Sequence, residues 1–331
     1  MPVRSRILAT GASVPRRVVT NAELAAAGGP SADDMLSLTG IRERRWVADD
    51  QATSDLAAEA GRDALAAAGW QASALDAIIV STTSPDTQFP STACYVQHRL
   101  GARSLAAFDV TASCSGFLYG LSMADAFIRS GQYRTCLVIA AEAKSRAIDP
   151  DDPATRMLFG DGAGAALVIR DDASGEKGPG LLGVRLYADG SRHDLIHVPA
   201  GGSRLPTTAD TVAARKHTLR LDGAPVFRLA VQRLTAAVQD LLAAQQLAVA
   251  DVQHSLFHQA NRRILAMLCD KLGIAPDRTT TTIEQFGNTS SASLPMALHE
   301  AARAGRLHMG DLVLLGAFGG GLTWGTALVR W

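Results

Sequence analysis

The chain has 331 residues, of which 47 % are hydrophobic and 19 % are charged. This composition excludes a disordered chain, because so apolar a sequence can bury enough surface to offset its conformational entropy. The 32 basic and 32 acidic residues give a formal net charge of zero, which excludes bulk electrostatic attraction to nucleic acid or to anionic lipid. The length predicts two domains or one large α/β unit.

The sequence begins with Met-Pro-Val-Arg-Ser-Arg and a short apolar stretch, without the apolar core of a signal peptide. The four cysteines, Cys94, Cys114, Cys136 and Cys269, form no CxxC pair and show no metal-like spacing with histidine. We therefore expect no metal site and a reducing cytoplasm as the compartment.

Two pairs of segments indicate an internal repeat. Residues 63–81 and residues 240–258, 177 positions later, both combine an Ala/Leu-rich helix, a short turn and an apolar strand. The FGDG motif and the GAALV that follows it, within 159–168, resemble FGGG and GTALV within 318–329. Chance similarity of alanine-rich segments is the alternative, but two pairs in the same order favour a duplication.

The polar, turn-rich stretch 171–179 separates the repeats. We therefore predict an N-terminal half over residues 1–172 and a C-terminal half over residues 173–331. Apolar runs without polar alternation, such as 77–80 and 136–140, are typical of strands buried on both faces. The predicted architecture is two similar α/β halves whose sheets are covered by helices, with the active site at the carboxyl ends of strands.

The stretch 312–329 is uncharged and nearly long enough to span a bilayer. It contains five glycines, so two buried strands joined by a glycine turn are a better interpretation than a helix. We expect no membrane span.

Cys114 is a candidate nucleophile. It lies between a predicted strand, 106–110, and a predicted amphipathic helix, 117–130, among small residues that leave room for a substrate. A helix N-terminus stabilises an anion and so lowers the pKa of a thiol, and the thiolate is the reactive form. The alternative is a small buried cysteine without a chemical role.

His258 is the candidate partner of this cysteine. It follows an apolar strand, 255–257, and in the 177-residue register it stands where Ser81 stands in the first half. We expect the segment 258–263 to open a helix. A single histidine in such a place is more often structural than catalytic, and the pairing with Cys114 is what favours catalysis.

Two glycine- and serine-rich segments complete the candidate site. Asn288 lies in a loop of small polar residues before a helix expected to start near Leu294, where the loop could simply cap that helix. An asparagine amide can also donate a hydrogen bond to an oxygen that develops negative charge. Residues 319–321, all glycine, let backbone approach a ligand closely and fit an oxyanion hole at least as well as a phosphate cradle.

Together these segments resemble a known family. DVTASCSGF (109–117), FGDGAGAA (159–166), HQANRRI (258–264), GNTSSAS (287–293) and AFGGGLTWG (317–325) are similar to the signature motifs of β-ketoacyl-acyl-carrier-protein synthase III, a thiolase-like condensing enzyme. TGIRER (39–44) and FPSTAC (89–94) match as well, so the resemblance covers nearly the whole chain. It implies a five-layered αβαβα fold built from two duplicated halves and assembled as a homodimer.

The resemblance also implies a reaction. Cys114 would take an acyl group from a thioester, and His258 and Asn288 would bind the carbonyl of malonyl-acyl carrier protein and stabilise the enolate formed as carbon dioxide leaves. The backbone N–H groups of Cys114 and Gly320 would form a second oxyanion hole. A histidine and an asparagine together are the pattern of this subgroup, whereas elongating synthases carry two histidines. The substrates would be thioesters of coenzyme A or acyl carrier protein, with no cofactor.

Further residues are assigned by the same resemblance. Phe318 would lie by the malonyl carboxylate, and Phe89 would line the acyl pocket or gate it at the dimer contact. Residues expected to meet the pantetheine arm or the acidic carrier protein are Gln259, Asn261, Arg263 and Arg228, with Lys271 as a further candidate. A solvated helical face is the alternative for these basic side chains.

The resemblance fails at three positions. The aromatic residue and the arginine that stack on the adenine of coenzyme A align with Asp34 and Leu38, and a further arginine aligns with Pro153. We therefore expect the acyl group to arrive on a carrier protein, or coenzyme A to bind in another pose. A misaligned loop over 21–38 is the alternative.

Two activities fit the motifs. The first is decarboxylative condensation that primes fatty-acid or polyketide synthesis. The second is acyl transfer from Cys114 to an alcohol or amine without decarboxylation. The presence of both His258 and Asn288 favours condensation, because simple transfer needs only a base. A non-catalytic scaffold is disfavoured because every reactive position is filled.

Overall fold

A computed structural model describes residues 4–172 and 178–331. The strands are β1 (Arg4–Ser13), β2 (Arg17–Thr20), β3 (Glu43–Trp46), β4 (Ala77–Ser81), β5 (Ala106–Val110), β6 (Thr135–Glu142), β7 (Gly162–Asp171), β8 (Gly180–Ala188), β9 (Ile196–His197), β10 (Arg220–Leu221), β11 (His254–Phe257), β12 (Leu312–Gly319) and β13 (Thr323–Arg330). The α-helices are α1 (Asn21–Ala26), α2 (Ala32–Thr39), α3 (Thr53–Ala68), α4 (Thr92–Leu100), α5 (Gly116–Arg129), α6 (Pro153–Arg156), α7 (Ala209–Ala213), α8 (Gly223–Ala244), α9 (Arg262–Leu272), α10 (Ile283–Phe286) and α11 (Ser293–Arg303).

Two mixed sheets form the frame. The first has the strand order β1-β7-β6-β4-β5 and the second the order β11-β12-β13-β8. Strand β4 runs parallel to β5 and β6, and β11 runs parallel to β12. Strands β4, β6 and β12 are buried along their whole length, as their uninterrupted apolar sequences predict.

Helices separate and cover the sheets. Helix α5 contacts β6 of the first sheet and β13 of the second, and α11 contacts β7 and β11, so these two helices form the central layer. Helix α3 packs on β1 and β7, and α8 packs on β12 and β13, which places them on the outer faces. The predicted five-layered αβαβα fold is confirmed.

The central layer carries the main core. Phe117, Leu118 and Leu121 of α5 and Leu294 and Leu298 of α11 are at most 1 % exposed and belong to one apolar cluster between the sheets. Burial of each such side chain contributes roughly 1.5–3 kcal/mol. The core therefore fixes the N-termini of α5 and α11, where the candidate site lies.

The duplication is visible in the strands. Strands β4 and β11 begin 177 residues apart, and so do β6 and β12. The halves differ at one edge, because β5 is matched in the second half by an isolated parallel bridge between Ser255 and Thr279 rather than by a strand. The predicted boundary at 172/173 stays a prediction, since residues 173–177 lie outside the described residues.

The stretch 312–329 forms two strands, β12 and β13, as predicted. Within residues 4–172 and 178–331, no helix combines the length and the apolar character needed to cross a bilayer.

Candidate active site

A cavity of about 360 Å³ lies where the two halves meet. Cys114, His258 and Asn288 all line it, together with Phe318 and Gly320. The structure thus brings together the five residues that the sequence predicted for the centre of the site.

Cys114 is held on a short 3-10 helix, Ser113–Ser115, between β5 and α5. Its Sγ lies 3.4 Å from Ser290 Oγ. Burial raises the pKa of the Cys114 thiol to about 11, against smaller opposing effects of the Ser290 hydrogen bond and the charge of Lys144. The sequence predicts a lowered pKa at this helix N-terminus, and that prediction is wrong because desolvation of the thiolate is the largest effect on this group. The resting thiol is protonated at neutral pH.

His258 follows β11, with its backbone N–H donating to the carbonyl of Gly316 at 2.8 Å. Its side chain is 6 % exposed, and burial lowers the pKa of His258 to about 4. The imidazole is therefore neutral at physiological pH, and one ring nitrogen carries a proton while the other accepts one.

Ser293 decides which nitrogen carries that proton. Ser293 Oγ lies 2.6 Å from His258 Nδ1 and accepts a hydrogen bond from the backbone N–H of Gln259 at 3.1 Å. A hydroxyl has one O–H donor and two acceptor sites, and Nδ1 is the only acceptor found for the Ser293 O–H among the described residues, so the hydroxyl donates its proton to Nδ1. His258 Nε2–H is then free to serve as a hydrogen-bond donor in the cavity.

The helix expected to open at 258 begins four residues later. Helix α9 starts at Arg262, with Asn261 as its N-cap, and Asn261 Oδ1 accepts from the backbone N–H of Arg263 at 2.8 Å. The cap satisfies one free N–H of the first turn. It also leaves His258 in the extended segment before the helix, where its ring can face the cavity.

Asn288 is fixed by both halves. Its backbone N–H donates to the carbonyl of Leu158 at 2.9 Å, and its carbonyl accepts from the N–H of Gly160 at 3.1 Å. Its Oδ1 accepts from the backbone N–H of Ser290 at 2.9 Å. Because the oxygen is occupied, the amide nitrogen is the group left to donate to a ligand.

The glycine run lies against the nucleophile. A Cβ added to Gly319 would stand 2.5 Å from the backbone nitrogen of Cys114, closer than any side chain allows. Glycine therefore lets β12 bring Gly320 next to the thiol. Phe318 is 4 % exposed and stacks near Trp324, with ring centroids 6.3 Å apart.

Sequence reasoning missed a polar cluster beside the thiol. Glu142 is fully buried at the end of β6, and Lys144 is 7 % exposed and lines the cavity. Both follow directly after the apolar run 136–140. The rule that pointed to Cys114, polar residues at the carboxyl end of a buried strand, applies to them equally.

Two predicted site residues are not among those that line the cavity of this chain. Phe89 is 85 % exposed and does not line the cavity of this chain. Gln259 is 1 % exposed, its Nε2 donates to the carbonyl of Phe257 at 2.7 Å, and its Oε1 accepts from the N–H of Thr282 at 2.9 Å. Gln259 therefore braces the chain beside His258 instead of presenting its amide to a ligand.

The remaining candidates surround the opening. Asn261 lines the cavity, while Arg228 and Arg263 are exposed next to lining residues. Arg263 Nη2 donates to the carbonyl of Ser37 at 3.1 Å, and Asn261 Nδ2 donates to the carbonyl of Leu38 at 3.2 Å. The end of α2 thus lies against the start of α9.

The three positions that align with coenzyme A contacts lie on α2 and α6. Leu38 is 41 % exposed at this end of α2, and Asp34 is exposed one turn earlier with its Oδ2 2.6 Å from Ser31 Oγ. Pro153 is the first residue of α6. None of the three offers an aromatic ring or a cation.

Comparison with known proteins agrees with this geometry. Residues 108–190 match the family described as 3-oxoacyl-[acyl-carrier-protein] synthase III, and residues 242–331 match the family described as its C-terminal part. The β-ketoacyl-[acyl-carrier-protein] synthase III of Rhodospirillum centenum is 47 % identical over 331 residues, which is 100 % of both chains.

Solved structures with a similar fold are also ketosynthases of this type. The crystal structure of 3-oxoacyl-[acyl-carrier-protein] synthase III from Aquifex aeolicus is 39 % identical, with a TM-score of 0.90 over 99 % of this chain and 100 % of that chain. The priming β-ketosynthase of the R1128 polyketide biosynthetic pathway is 34 % identical, with a TM-score of 0.90 over 99 % and 97 % of the two chains.

A thiol placed between two duplicated halves of this topology defines a thiolase-like acyltransferase of the condensing type. The sequence identity of 47 % over the full length narrows this class to one family. The chain belongs to the β-ketoacyl-[acyl-carrier-protein] synthase III family. Of the two activities predicted from the motifs, condensation is the one that the relatives' names support.

Proposed function

We propose that this enzyme joins an acyl group, carried on Cys114, to malonyl-acyl carrier protein with loss of carbon dioxide, and so primes fatty-acid or polyketide synthesis. The observation that carries the proposal is the placement of one thiol and two neutral N–H donors, from His258 and Asn288, in a single cavity.

The first step is acyl loading. Cys114 Sγ attacks the thioester carbonyl, the bond to the carrier sulfur breaks, and the carrier thiol leaves with the proton that Cys114 gives up. The carbonyl oxygen becomes negative during the attack and is bound by the backbone N–H groups of Cys114 and Gly320. The close approach that Gly319 permits supports this arrangement.

The second step is condensation. The malonyl thioester oxygen accepts hydrogen bonds from His258 Nε2–H and Asn288 Nδ2–H. The bond to the carboxylate carbon breaks, carbon dioxide leaves, and the electron pair forms an enolate held by these donors. The enolate carbon attacks the acyl carbonyl and the Cys114 thiolate is expelled. A neutral histidine suits the donor role, since it needs no proton from solvent.

Phe318 contributes to the loss of carbon dioxide. Its buried ring lines the cavity and offers an apolar surface to the malonyl carboxylate, which destabilises the charged reactant relative to neutral carbon dioxide. Because release of carbon dioxide drives formation of the carbon–carbon bond, the reaction requires no cofactor.

Intact-mass measurement tests the two steps in sequence. The protein is exposed to an acyl thioester and then to malonyl-acyl carrier protein. We expect a mass gain of one acyl group on Cys114, then its loss with formation of a 3-oxoacyl-carrier product. Discharge of the acyl group only to an alcohol or amine would support the alternative activity instead.

The acyl donor is a carrier protein rather than coenzyme A. Asp34, Leu38 and Pro153 supply neither stacking rings nor cations, and contacts of that kind are worth roughly 1 kcal/mol each. Losing several weakens acyl-coenzyme A binding by on the order of a hundredfold. Steady-state kinetics with one acyl group on both carriers checks this. A low-micromolar KM for the coenzyme A ester, without gain on the carrier protein, would contradict it.

The carrier protein docks beside α9. Arg228, Arg263 and Lys271 are exposed, carrier proteins are acidic, and Asn261 lines the opening where the pantetheine arm enters. Arg263→Glu should raise the KM for malonyl-carrier protein several-fold and flatten its salt dependence. Arg303→Glu, an exposed reversal on α11, is the matched control and should change neither quantity.

The enzyme is a cytoplasmic homodimer in this proposal. Phe89 is 85 % exposed, and β5 forms an edge of its sheet, so both are available to a second copy. All four cysteines are free, which suits a reducing compartment. Light scattering should give a dimer that Phe89→Asp weakens, while Met309→Asp, at a site 93 % exposed, leaves it intact. A monomeric wild type at micromolar concentration would overturn the dimer.

A further inference from the structure

The cavity has an outer and an inner end. At the outer end, Val198 is 42 % exposed and Gly223 is exposed. At the buried end, next to Cys114, the lining includes Thr83, Lys144 and Ser290, of which Lys144 is 7 % and Ser290 2 % exposed. We call these three residues the inner end.

The acyl group on Cys114 occupies the inner end, if the proposed function holds. The pantetheine arm of the first carrier must leave through the outer end, and the arm of malonyl-carrier protein must enter the same way. The acyl chain stays on Cys114 during this exchange, so it has to lie clear of the outer end.

The inner end is charged. Lys144 follows β6 and begins the 3-10 helix Lys144–Ala147. Its Nζ donates to Thr83 Oγ1 and lies 3.4 Å from Glu142 Oε2. The side chain of Lys144 is only 9 % exposed, and that of Glu142 is fully buried. A buried ammonium is costly unless charge and hydrogen bonds compensate for its lost hydration.

Glu142 has many other donors. Its carboxylate accepts from Ser84 Oγ at 2.7 Å, from Ser291 Oγ at 2.9 Å and from the backbone N–H of Thr83 at 3.2 Å. Although burial opposes ionisation, Lys144 and these donors hold the pKa of Glu142 below its ordinary value. Glu142 is therefore a stable anion that does not depend on Lys144 alone.

Lys144 has hydrogen-bonding capacity to spare. An ammonium has three N–H donors, whereas Lys144 contacts two partners in the described part of the chain, Thr83 and, at a long 3.4 Å, Glu142. Because Lys144 lines the cavity, a ligand can reach it. A methyl or methylene group at this place would leave a buried N–H without an acceptor, which is unfavourable.

Lys144 is also near the reacting sulfur. Cys114 Sγ contacts Ser290 Oγ at 3.4 Å, Ser290 Oγ donates to Glu142 Oε1 at 3.2 Å, and Glu142 contacts Lys144. Two side chains thus link the sulfur to Lys144, and both Cys114 and Lys144 line the same cavity, so an acyl chain on Cys114 shares the space that the ammonium faces.

We propose that Lys144 selects the acyl group: the primer is a short chain bearing an oxygen acceptor, as a hydroxyl, keto or carboxylate group, rather than a plain alkyl chain. The inference rests on the proposed function of Cys114 and names the substrate class for that site. Lys144 would donate a hydrogen bond to this oxygen while Thr83 and Glu142 hold the ammonium in place.

Loading kinetics of four-carbon thioesters test this proposal. Butyryl, 3-hydroxybutyryl, acetoacetyl and succinyl groups are offered on one acyl carrier protein, and the rate of mass gain on Cys114 is measured. We expect at least one oxygenated group to load tenfold or more faster than butyryl. A faster succinyl rate would identify a carboxylate, and a faster hydroxyl or keto rate a neutral acceptor.

Lys144→Met is the decisive variant, since it keeps the length of the side chain without its donors. It should lose the tenfold preference while loading butyryl at least as fast as the wild type. Arg146→Met, an exposed cation in the same 3-10 helix, is the matched control and should keep the preference. If Lys144→Met fails to fold, the double variant Lys144→Met/Glu142→Gln removes both buried charges and takes its place.

The outcomes separate the two proposals. Butyryl loading as fast as every oxygenated group, followed by normal condensation, would overturn the role of Lys144 and leave the proposed function intact. Absence of any adduct on Cys114 with every thioester would overturn both.

Discussion

The two halves of the molecule place different chemistry at equivalent positions. Strand β4 ends at Ser81, and 177 residues later His258 follows β11; the helices beside them begin with Gly116 and Ser293. A Cβ on Gly116 would stand 1.9 Å from Ser81 Oγ, whereas Ser293 Oγ binds His258 Nδ1 at 2.6 Å. The two halves share the backbone arrangement, and the contact that is closed to a side chain in the first half is a serine–imidazole hydrogen bond in the second.

The nucleophile shows the same asymmetry. The position equivalent to Cys114 is Ser291, which is fully buried and donates to Glu142 at 2.9 Å, with the carbonyl of Ser81 at 3.3 Å as a second acceptor for the same proton. Cys114 lines the cavity instead. The duplicated fold thus has a reactive thiol and a structural hydroxyl at matching helix N-termini. What distinguishes the two positions is that Cys114 lines the cavity and Ser291 is buried.

The largest expected effect separates these two positions. Cys114→Ala should abolish acyl-enzyme formation, because Cys114 is the one cysteine among the described residues that line the cavity, and a serine hydroxyl is far less ionised than a thiol. Intact mass after exposure to an acyl thioester measures it, with Cys94→Ala, at an exposed cysteine, as the matched control. A normal acyl adduct on the alanine variant would refute the assignment.

The next effect separates His258 from Ser81. His258→Ala and Asn288→Ala should slow malonyl decarboxylation by about 100- to 1000-fold, since each removes one donor to the enolate, and should slow loading far less. Ser81→Ala is the matched control: Ser81 Oγ is buried without a hydrogen-bond partner in the described part of the chain. Equal losses in both half-reactions would contradict the division of roles.

Protonation distinguishes the same two positions, since only His258 titrates. Its pKa is about 4 in the folded chain and about 6.5 when unfolded. The unfolded state therefore binds the proton first, and stability falls as the pH drops from about 6.5 towards 4. Between pH 7.5 and 4.5 the wild type should lose about 2–3 kcal/mol more than His258→Gln, measured by urea unfolding. Parallel curves for the two proteins would show that His258 is not neutralised by burial.

A stability measurement tests the close contact between Gly116 and Ser81 in the first half. Gly116→Ala should lower the free energy of unfolding by about 1–3 kcal/mol, because the added methyl overlaps Ser81 Oγ. Adding Ser81→Gly should recover part of the loss, since the two side chains compete for one space. Additive losses in the double variant would mean that the overlap is relieved elsewhere.

The smallest effect concerns Ser293, a positioning residue that acts through His258. Ser293→Ala removes the donor to Nδ1, a hydrogen bond worth about 1 kcal/mol, and should slow decarboxylation by about fivefold through kcat with little change in KM. Loading should be unaffected, and Ser293→Thr should restore the rate. An unchanged decarboxylation rate would show that Ser293 does not fix the tautomer of His258.

Much of this site followed from local patterns. The strand–loop–helix around Cys114 and the strand before His258 were predicted because apolar runs and helical periodicity are local properties, and the 177-residue repeat placed the two at equivalent strand ends. The predicted helix start within 258–263 is too early. The N-cap is Asn261, which bonds to Arg263, and it lies inside a segment whose sequence looks helical throughout.

The rest depends on burial, which no local pattern reports. The sequence predicts a lowered pKa for Cys114 because its helix is visible there, whereas the pKa is raised by burial of the thiol, which the sequence does not show. Lys144 looks like a surface residue in sequence and becomes part of the cavity only through Thr83 and Glu142. The sequence suggests a ligand contact for Gln259, whereas its side-chain amide hydrogen-bonds to two backbone groups.

The backbone bonds that join Asn288 to Leu158 and Gly160 have a consequence for the origin of the enzyme. A single half contains either the thiol or the two N–H donors, never the set, so an ancestral unit of half this length could build such a site only by meeting a second copy. In one chain that carries both halves no encounter is needed, and the bonds of Asn288 hold the donors against the half that carries the thiol. Two halves in one chain can therefore differ at equivalent positions, as Ser81 and His258 do.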